Sequence, residues 1–319
     1  MNTRSYIIGA LAFAAVAAIA PALPLWLVSL ATIAFANALV VLGLIILWRA
    51  GLVPFGQGLF YATGAYAVAL ISRYTGWRDV FVLVAIGALA AGVLAFLIGF
   101  LLARYRDIFF AMLSLALSMI LYGVLVKTES LGSTDGFNVE PGTFFGWRPH
   151  GAMLSFALFW LVLGLSAVAA FLISLYFRTV AGTLAVPVRD NEIRLEFLGV
   201  SVNRLIHLKL VISGILAGVG GALAALAVAH VDPSMAYWTT SGGFVFVTIL
   251  AGAGSVAAAF VGSLAFELIR SLAVDLVPGT WQIILGGALL LTILFLPEGL
   301  GSLFQRLRRT PEQPAPEKA

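Results

Sequence analysis

Ten apolar runs divide almost the whole chain, and they constrain its fold more than any other feature. They fall at about 5–21, 25–48, 54–72, 79–103, 108–126, 152–177, 208–230, 239–251, 255–275 and 279–297. A helix of about 20 apolar residues crosses a bilayer, and most of the runs reach that length. The sequence therefore predicts an all-α polytopic membrane protein with about ten transmembrane segments, followed by a disordered cytoplasmic tail at 304–319.

The composition is that of a protein that faces lipid. Hydrophobic residues make up 62% of the 319 residues and charged residues only 10%, whereas about a quarter of the residues in a soluble domain are charged. We therefore interpret the net charge of +4 in terms of membrane orientation, and we predict membrane lipid as a partner and no nucleic acid. The chain has no cysteine, which excludes disulfides and thiolate metal sites. Its three histidines lie far apart in the sequence, so we expect no metal site and no catalytic residue.

Basic residues of the short connections predict which side of the membrane each connection faces. The basic residues assigned to the cytoplasmic side are Arg4, Arg49, Arg104, Arg106, Arg178, Arg189, Arg194, Arg204, Lys209, Arg306, Arg308 and Arg309. Arg73 and Arg78 fall on the opposite side, against this trend. The pattern predicts that both termini are cytoplasmic. An alternative stays open for residues 1–21, in which Arg4, an apolar stretch and small residues near Ala20 form a cleaved signal peptide.

Two of the ten runs, 54–72 and 239–251, are interrupted by glycine. If the segments divide into two inverted five-segment repeats, these runs occupy matching positions, and such a pair points to a translocation site. A broken helix exposes backbone groups that only protein or a water-filled cavity can satisfy. The candidate pathway residues are Asn37, Gly56, Gln57, Gly58, Gly64, Thr248, Gly252 and Gly254. Glycines that only permit close helix packing in lipid are the alternative, and the sequence leaves both open.

Charge within the apolar runs is scarce, and Glu267 is the clear acidic residue among them. Ion-driven transporters usually carry intramembrane acids or other cation-coordinating groups. Glu267 lies three residues before Arg270, so we expect a local ion pair on one helix face and no ion-coupling site. The energy source is therefore expected on another chain.

The connection at 178–209 is the least hydrophobic long stretch before the tail. It predicts a short helix between Asp190, a favourable N-cap, and Gly199, a favourable residue just past a helix end. Ile193, Phe197 and Val200 would form its apolar stripe. Such a helix lies either at the lipid interface or against a cytoplasmic subunit, and its acidic residues favour the subunit because anionic lipid repels them. The predicted coupling residues are Arg189, Asp190, Glu192, Glu196 and Gly199.

The chain lacks the motifs of an ATP-driven motor and of common hydrolases. A P-loop places its lysine directly after a glycine, and none of Lys127, Lys209 and Lys318 follows one. The H-E-x-x-H and G-x-S-x-G motifs are also absent. We therefore expect no enzyme activity and no cofactor on this chain.

Six segments, in order along the chain, resemble signature motifs of the permease subunits of branched-chain amino acid ABC importers, in the LivM-like branch of that family. They are GLVPFGQGLFYATGAY at 51–66, RDIFFA at 106–111, TDG at 134–136, VRDNE at 188–192 followed by Gly199 and Val200, LAGAGS at 250–255, and LPEGL at 296–300. The sequence departs from these motifs at Pro54, Ser133 and Ala251, where the family usually has Ser, Gly and Gly.

The resemblance implies a permease domain over residues 1–303 that forms a translocation pathway with a second, homologous permease in the bacterial inner membrane. Two cytoplasmic ATPases carrying ATP and Mg²⁺ would drive it through the 178–209 loop, and an extracytoplasmic binding protein would deliver the solute. That solute would be a branched-chain amino acid or a related small polar solute such as urea, an amide or an aromatic acid. Two alternatives stay open: a stand-alone secondary transporter or channel and, more remotely, an integral membrane enzyme.

Overall fold

The computed structural model describes residues 3–276, 279–295 and Gly299. Its helices are α1 Thr3–Ile19, α2 Leu25–Trp48, α3 Gln57–Thr75, α4 Val80–Leu102, α5 Asp107–Lys127, α6 Ala152–Tyr176, α7 Val180–Thr183, α8 Ala185–Asp190, α9 Glu192–Phe197, α10 Val202–Val228, α11 Trp238–Ala251, α12 Val256–Leu276 and α13 Trp281–Phe295. Short 3₁₀ helices lie at Ala20–Ala22, Glu129–Leu131 and Pro233–Ala236, and the strands are β1 Phe137–Asn138 and β2 His230–Val231. The predicted tail at 304–319, with Arg306, Arg308 and Arg309, lies outside the described residues, as does most of the 296–300 motif.

The helices follow the apolar runs, and each of the ten runs overlaps one helix over most of its length. α2 has the limits of the second run. Within the described part of the chain, six helices are long and apolar enough to cross a membrane, namely α2, α4, α5, α6, α10 and α12. Shorter apolar stretches lie at 9–22, 238–251 and 282–292. The fold is therefore an all-α, polytopic membrane fold.

Two helix starts differ by three residues or more from the apolar runs that predict them. The run at 54–72 becomes helical only at Gln57, because Pro54 has no N–H and the chain around it is extended. The run at 208–230 begins as a helix already at Val202. Its first turns contain Arg204 and His207, and hydropathy alone does not detect a polar helix end.

α10 is the centre of the bundle and packs against α2, α3 and α4. Small residues allow this close approach: a Cβ atom on Gly64 would overlap the carbonyl oxygen of Gly218, and one on Gly221 would overlap the backbone of Tyr61. Helices in lipid associate largely through such contacts, since lipid chains are as apolar as the side chains that they replace. From residue 34 to residue 47 of α2, every residue except Asn37 is buried.

The two ends of the bundle carry different structures. At one end, called the hairpin end, β1 pairs antiparallel with β2 and Phe137 lies opposite Val231. At the other, the α9 end, α7 to α9 fold against the membrane helices. Val188 and Leu195 are buried there in one apolar cluster with residues of α2, α4, α5 and α10. The short helices are thus part of the folded core and have a fixed position relative to the membrane helices.

Candidate translocation cavity and coupling surface

A cavity of about 310 Å³ lies among α2, α3, α11, α12 and α13. Buried Ser263 and Glu267 of α12 contribute to its wall, and so does Asn37, the exception in the buried stretch of α2. Exposed Thr239 and Gln282 also line it. The cavity therefore has a polar, exposed mouth and a buried interior.

An intramembrane carboxylate is held inside this cavity. Asn37 Nδ2 donates a hydrogen bond to Glu267 Oε1 at 2.9 Å, and Arg270 Nη1 lies 3.8 Å from the same oxygen. The expected local ion pair is present, whereas the contact with Asn37 joins residues that are distant in the sequence. Asn37 Oδ1 and Ser263 Oγ are buried in the wall without a hydrogen-bond partner. Two unpaired acceptors thus accompany the buried charge.

The predicted pathway residues of the first glycine-interrupted segment lie in helix contacts and do not line this cavity. Gly56 packs on the Ser114 backbone and Gly64 on Gly218, in both cases too closely for a Cβ atom. Gln57 is fully buried, and its Nε2 donates to Ser213 Oγ at 2.5 Å. These positions are those expected of residues that permit close packing. Their predicted role on the pathway stays a prediction.

The two glycine-interrupted segments nevertheless meet. The backbone N–H of Gly58 donates to Ser241 Oγ at 2.9 Å. One turn further along each helix, the rings of Tyr61 and Phe244 contact each other, with centroids 5.1 Å apart. Both rings line the cavity. The two segments therefore form one side of the cavity wall, whereas Gly58 and Ser241, which join them, are not among the residues that line it.

The predicted pathway residues at the end of α11 form a turn. Gly252 has a φ of +78°, a backbone conformation that favours glycine, and its N–H donates to Thr248 O at 2.8 Å. Thr248 is buried, and its hydroxyl donates to Phe244 O within the same helix. Gly254 O accepts a hydrogen bond from Arg49 Nη2 at 2.9 Å. Thr248, Gly252 and Gly254 do not line the cavity.

Arg49 connects this turn with the α9 end of the bundle. Its Nε donates to Ala253 O at 3.0 Å, and its guanidinium lies 3.9 Å from the ring centroid of Phe177, within the range of a cation–π contact. Nearby, Lys209 of α10 is fully buried, and its Nζ donates hydrogen bonds to the hydroxyl of Tyr176 and the backbone carbonyl of Ala181. The end of α6, the start of α7 and the α11–α12 turn are thus joined by basic side chains.

The helix predicted between Asp190 and Gly199 is present as α9, but its N-cap is Asn191 and not Asp190. α8 ends at Asp190, and α9 begins at Glu192. The extended residue between them, Asn191, is the N-cap, because its side chain accepts from the N–H of Arg194 at 3.0 Å. Asp and Asn are equally good caps, and the extended backbone at 191 decides between them. Gly199 follows the end of α9 with a φ of +82°, as predicted.

α9 exposes apolar side chains, whereas the carboxylate of its Glu192 is bound by another residue of the same chain. Phe197 is 88% exposed, and Ile193 and Leu198 are also exposed. Glu192 Oε1 accepts from Arg106 Nε at 2.5 Å, so this carboxylate is held against the start of α5. Glu196 is exposed.

The remaining predicted coupling residues lie beside α9. Arg189 Nε lies 3.6 Å from Asp190 Oδ1, and both side chains are exposed. Together with the exposed part of α9, they form a coupling surface, defined here by Arg189, Asp190, Ile193, Glu196, Phe197 and Leu198. Val200, predicted as part of the apolar stripe, is only partly exposed.

Sequence reasoning found the pair of Glu267 and Arg270 on α12 but missed Ser263, the third polar residue on the same helix face. Ser263, Glu267 and Arg270 have the spacing i, i+4, i+7 that places three side chains on one helix face. Looking for polar residues at this spacing within an apolar run would have found all three. Among the described residues, no group of three or more His, Cys, Asp or Glu side chains could hold a metal ion.

Comparison with known proteins identifies the family. The model of the family described as branched-chain amino acid transport system permease component matches residues 26–294, which include the cavity and the coupling surface. The chain is 27% identical over 296 residues to the high-affinity branched-chain amino acid transport system permease protein LivM of Escherichia coli strain K12, which covers 86% of this chain and 69% of the relative. LivM of Salmonella typhimurium strain LT2 is 26% identical, with the same coverage. No solved structure matches the chain significantly. The chain therefore belongs to the family of branched-chain amino acid transport system permease components, and it is a multi-pass membrane subunit of a transporter and not an enzyme.

Proposed function

We propose that this chain forms half of the translocation pathway of an ATP-binding cassette importer for a branched-chain amino acid or a related small polar solute, in a bacterial inner membrane. A second, homologous permease would supply the other half. Two cytoplasmic ATPases, carrying ATP and Mg²⁺, would drive transport, and an extracytoplasmic binding protein would deliver the solute. The relatives named above are high-affinity branched-chain amino acid permeases, which supports this solute class.

The coupling surface is the observation that carries the proposal. Phe197 is 88% exposed on a helix too short to be stable alone. The helix is nevertheless fixed to α5 through Glu192 and Arg106. An apolar surface on a fixed element favours a partner protein, and the exposed Glu196 disfavours anionic lipid. A self-sufficient secondary transporter would need no such surface.

We further propose ten membrane crossings, arranged as two inverted five-segment repeats. Numbering the ten apolar helices in order, segment seven (α10) packs against segment four (α4), and segment two (α2) packs against segment nine (α12). Segments three and four are neighbours, as are segments eight and nine. In a five-plus-five repeat, segment two corresponds to seven, three to eight, and four to nine. The contact of segments four and seven then corresponds to that of segments nine and two, and the contact of three and four to that of eight and nine, as a repeat would produce. Arg106, Arg189, Arg194 and Arg204 lie near the α9 end, which favours a cytoplasmic α9 end and cytoplasmic termini.

Transport would begin when ATP binding closes the two ATPases and moves α9. Glu192 and Arg106 would pass this movement to α5, since their ion pair joins the two helices. Arg49 would pass movement near Phe177 to the α11–α12 turn through its bonds to Ala253 and Gly254. Both routes end at helices whose displacement would open the pathway to one side or the other.

The test is co-purification of ATPase subunits expressed together with this chain. Phe197→Asp places a charge in the centre of the coupling surface, so we expect most of the bound ATPase and of the ATP-dependent solute uptake to be lost. The side chain is exposed, so the chain itself should fold normally. Tyr74→Asp is the matched control, because Tyr74 is also exposed but lies toward the hairpin end. Normal ATPase recovery and uptake in Phe197→Asp would contradict the proposed docking.

A further inference from the structure

The cavity between α2, α11 and α12 combines a negative charge, a positive charge and an apolar wall. Glu267 lies in its interior, Arg270 lies one turn further along α12, and Phe244, Val247 and Phe266 supply apolar surface. We propose that this cavity binds an α-amino acid within this single chain. Glu267 takes the ammonium group, Arg270 takes the carboxylate, and the apolar wall takes an aliphatic side chain. The inference rests on the proposed function and adds to it a site made of named residues.

The interior of the cavity fits an ammonium group. Glu267 is only 8% exposed, Asn37 and Arg270 both approach its Oε1, and in the proposed site its Oε2 accepts from the ammonium group. The buried atoms Asn37 Oδ1 and Ser263 Oγ have no hydrogen-bond partner. Buried polar atoms are nearly always paired, so two unpaired acceptors beside a carboxylate need an explanation. An ammonium group carries three N–H donors, which match these three acceptors in number.

The neighbouring turn of α12 fits a carboxylate. Arg270 is half-exposed, and its Nη1 is 3.8 Å from Glu267 Oε1, which is too far for a hydrogen bond. A guanidinium presents a planar set of donors that binds carboxylates in a bidentate manner. Because Glu267 and Arg270 are adjacent on one helix face, the opposite charges of one amino acid can reach both.

The rest of the wall restricts the size and polarity of the ligand. A volume of about 310 Å³ is at the small end of ligand cavities, which measure roughly 300–1,000 Å³. Phe244 and Val247 are buried and face the cavity together with Phe266. An aliphatic ligand side chain is stabilised by burial against these three apolar residues. A charged ligand side chain would find no polar group on them. The chemistry therefore favours small zwitterions with apolar side chains.

The experiment uses photo-leucine, a leucine analogue that carries a diazirine, on the full chain in lipid nanodiscs. Irradiation followed by peptide mass spectrometry should place adducts on α11 and α12, and excess leucine should remove them. Glu267→Gln should lower the leucine-displaceable labelling roughly tenfold, since a charge-assisted bond is lost. Ser263→Ala should lower it roughly threefold. Ser72→Ala, which removes a buried, unpaired hydroxyl outside the cavity, should leave it unchanged.

Competing ligands separate the two charged groups. Leucinamide lacks the carboxylate and 4-methylpentanoate lacks the ammonium group, so leucine should outcompete both on the wild-type chain. Arg270→Gln should remove the advantage of leucine over leucinamide but keep its advantage over 4-methylpentanoate. Glu267→Gln should do the reverse. This crossed pattern is not expected if the two residues only stabilise the helix.

Several outcomes would overturn the inference. They are the absence of displaceable labelling on the wild-type chain, adducts outside the cavity, or labelling that both Glu267→Gln and Ser263→Ala leave unchanged. Uptake by the assembled transporter distinguishes this failure from failure of the proposed function. Normal ATP-dependent leucine uptake by Glu267→Gln would overturn the site and leave the function standing. If the wild-type transporter shows no ATP-dependent uptake of any branched-chain amino acid, the proposed solute class is wrong.

Discussion

Replacing Gly64 with alanine adds one methyl group where α3 crosses α10, and it separates the two interpretations of the glycine-interrupted segments. The new Cβ atom would overlap the carbonyl oxygen of Gly218 and approach its Cα and C atoms too closely. All three neighbours are backbone atoms, so no side-chain rotation can relieve the overlap. The helices must move apart.

The structure allows the cost of this change to be worked out. Overpacking a well-packed interior by a methyl group costs about 1–3 kcal/mol, and replacing glycine by alanine within a helix returns up to about 1 kcal/mol. We therefore expect a net loss of about 1–2 kcal/mol of stability. Gly164→Ala in α6 is the matched control, because nothing lies within 4 Å of its added Cβ. That variant receives only the gain in helix propensity.

Heating followed by fluorescence-detected size-exclusion chromatography measures the difference. Gly64→Ala should lower the temperature at which half of the monodisperse peak is lost by roughly 2–6 °C, while Gly164→Ala should leave it unchanged or raise it slightly. Equal midpoints for the two variants would refute the packing argument. Normal stability combined with strongly reduced uptake would instead place Gly64 on the translocation pathway.

Two further predictions concern residues whose roles the sequence left open. Glu192→Gln should reduce ATP-dependent uptake severalfold while ATPase subunits still co-purify, because it weakens the ion pair between α9 and α5 but leaves the exposed apolar side chains in place. Glu140→Gln is its control, because it weakens the ion pair of Glu140 with Arg78 beside β1, and it should transport normally; equal uptake by the two variants would contradict this coupling route. Thr248→Val should change uptake less than about twofold, since the hydroxyl bonds only within its own helix and an isolated hydrogen bond contributes about 1 kcal/mol. A large loss of uptake in Thr248→Val would return this residue to the pathway.

The sequence predicted the positions of the membrane helices well, and the physical reason is specific to the bilayer. A helix in lipid must satisfy its own backbone groups, so an apolar run of sufficient length has few other conformations available. α2 occupies the run at 25–48 without any shift. Prediction was poorer at Gln57 and Val202, where a proline delays one helix and polar residues extend another. Hydropathy detects the apolar part of a helix and does not detect turns that mix buried apolar residues with exposed polar ones, such as the first turns of α10.

The candidate site was only partly predictable, since its parts lie far apart in the sequence. Asn37 and Glu267 are 230 residues apart, and only the packing of α2 against α12 joins them. The ion pair of Glu267 with Arg270 was predictable because helix geometry alone brings residues three apart together. The N-cap of α9 was not, since Asp190 and Asn191 are equally suitable and the local backbone decides between them. Contacts between residues close in the sequence can thus be predicted from the sequence. Contacts between distant segments can be identified only once the fold is known.

The glycines of the two interrupted segments show how packing and transport can depend on one arrangement. Gly58 contacts Ser241 through a backbone hydrogen bond that a side chain at Gly58 would crowd. This contact sets the distance between α3 and α11, and it brings Tyr61 and Phe244 together as cavity wall. The glycine itself lies behind the wall, so it need not touch a solute to determine the shape of the passage. If the cavity binds solute as proposed, a larger residue at Gly58 would damage transport by displacing these two rings, and close packing would be the means by which the pathway is built.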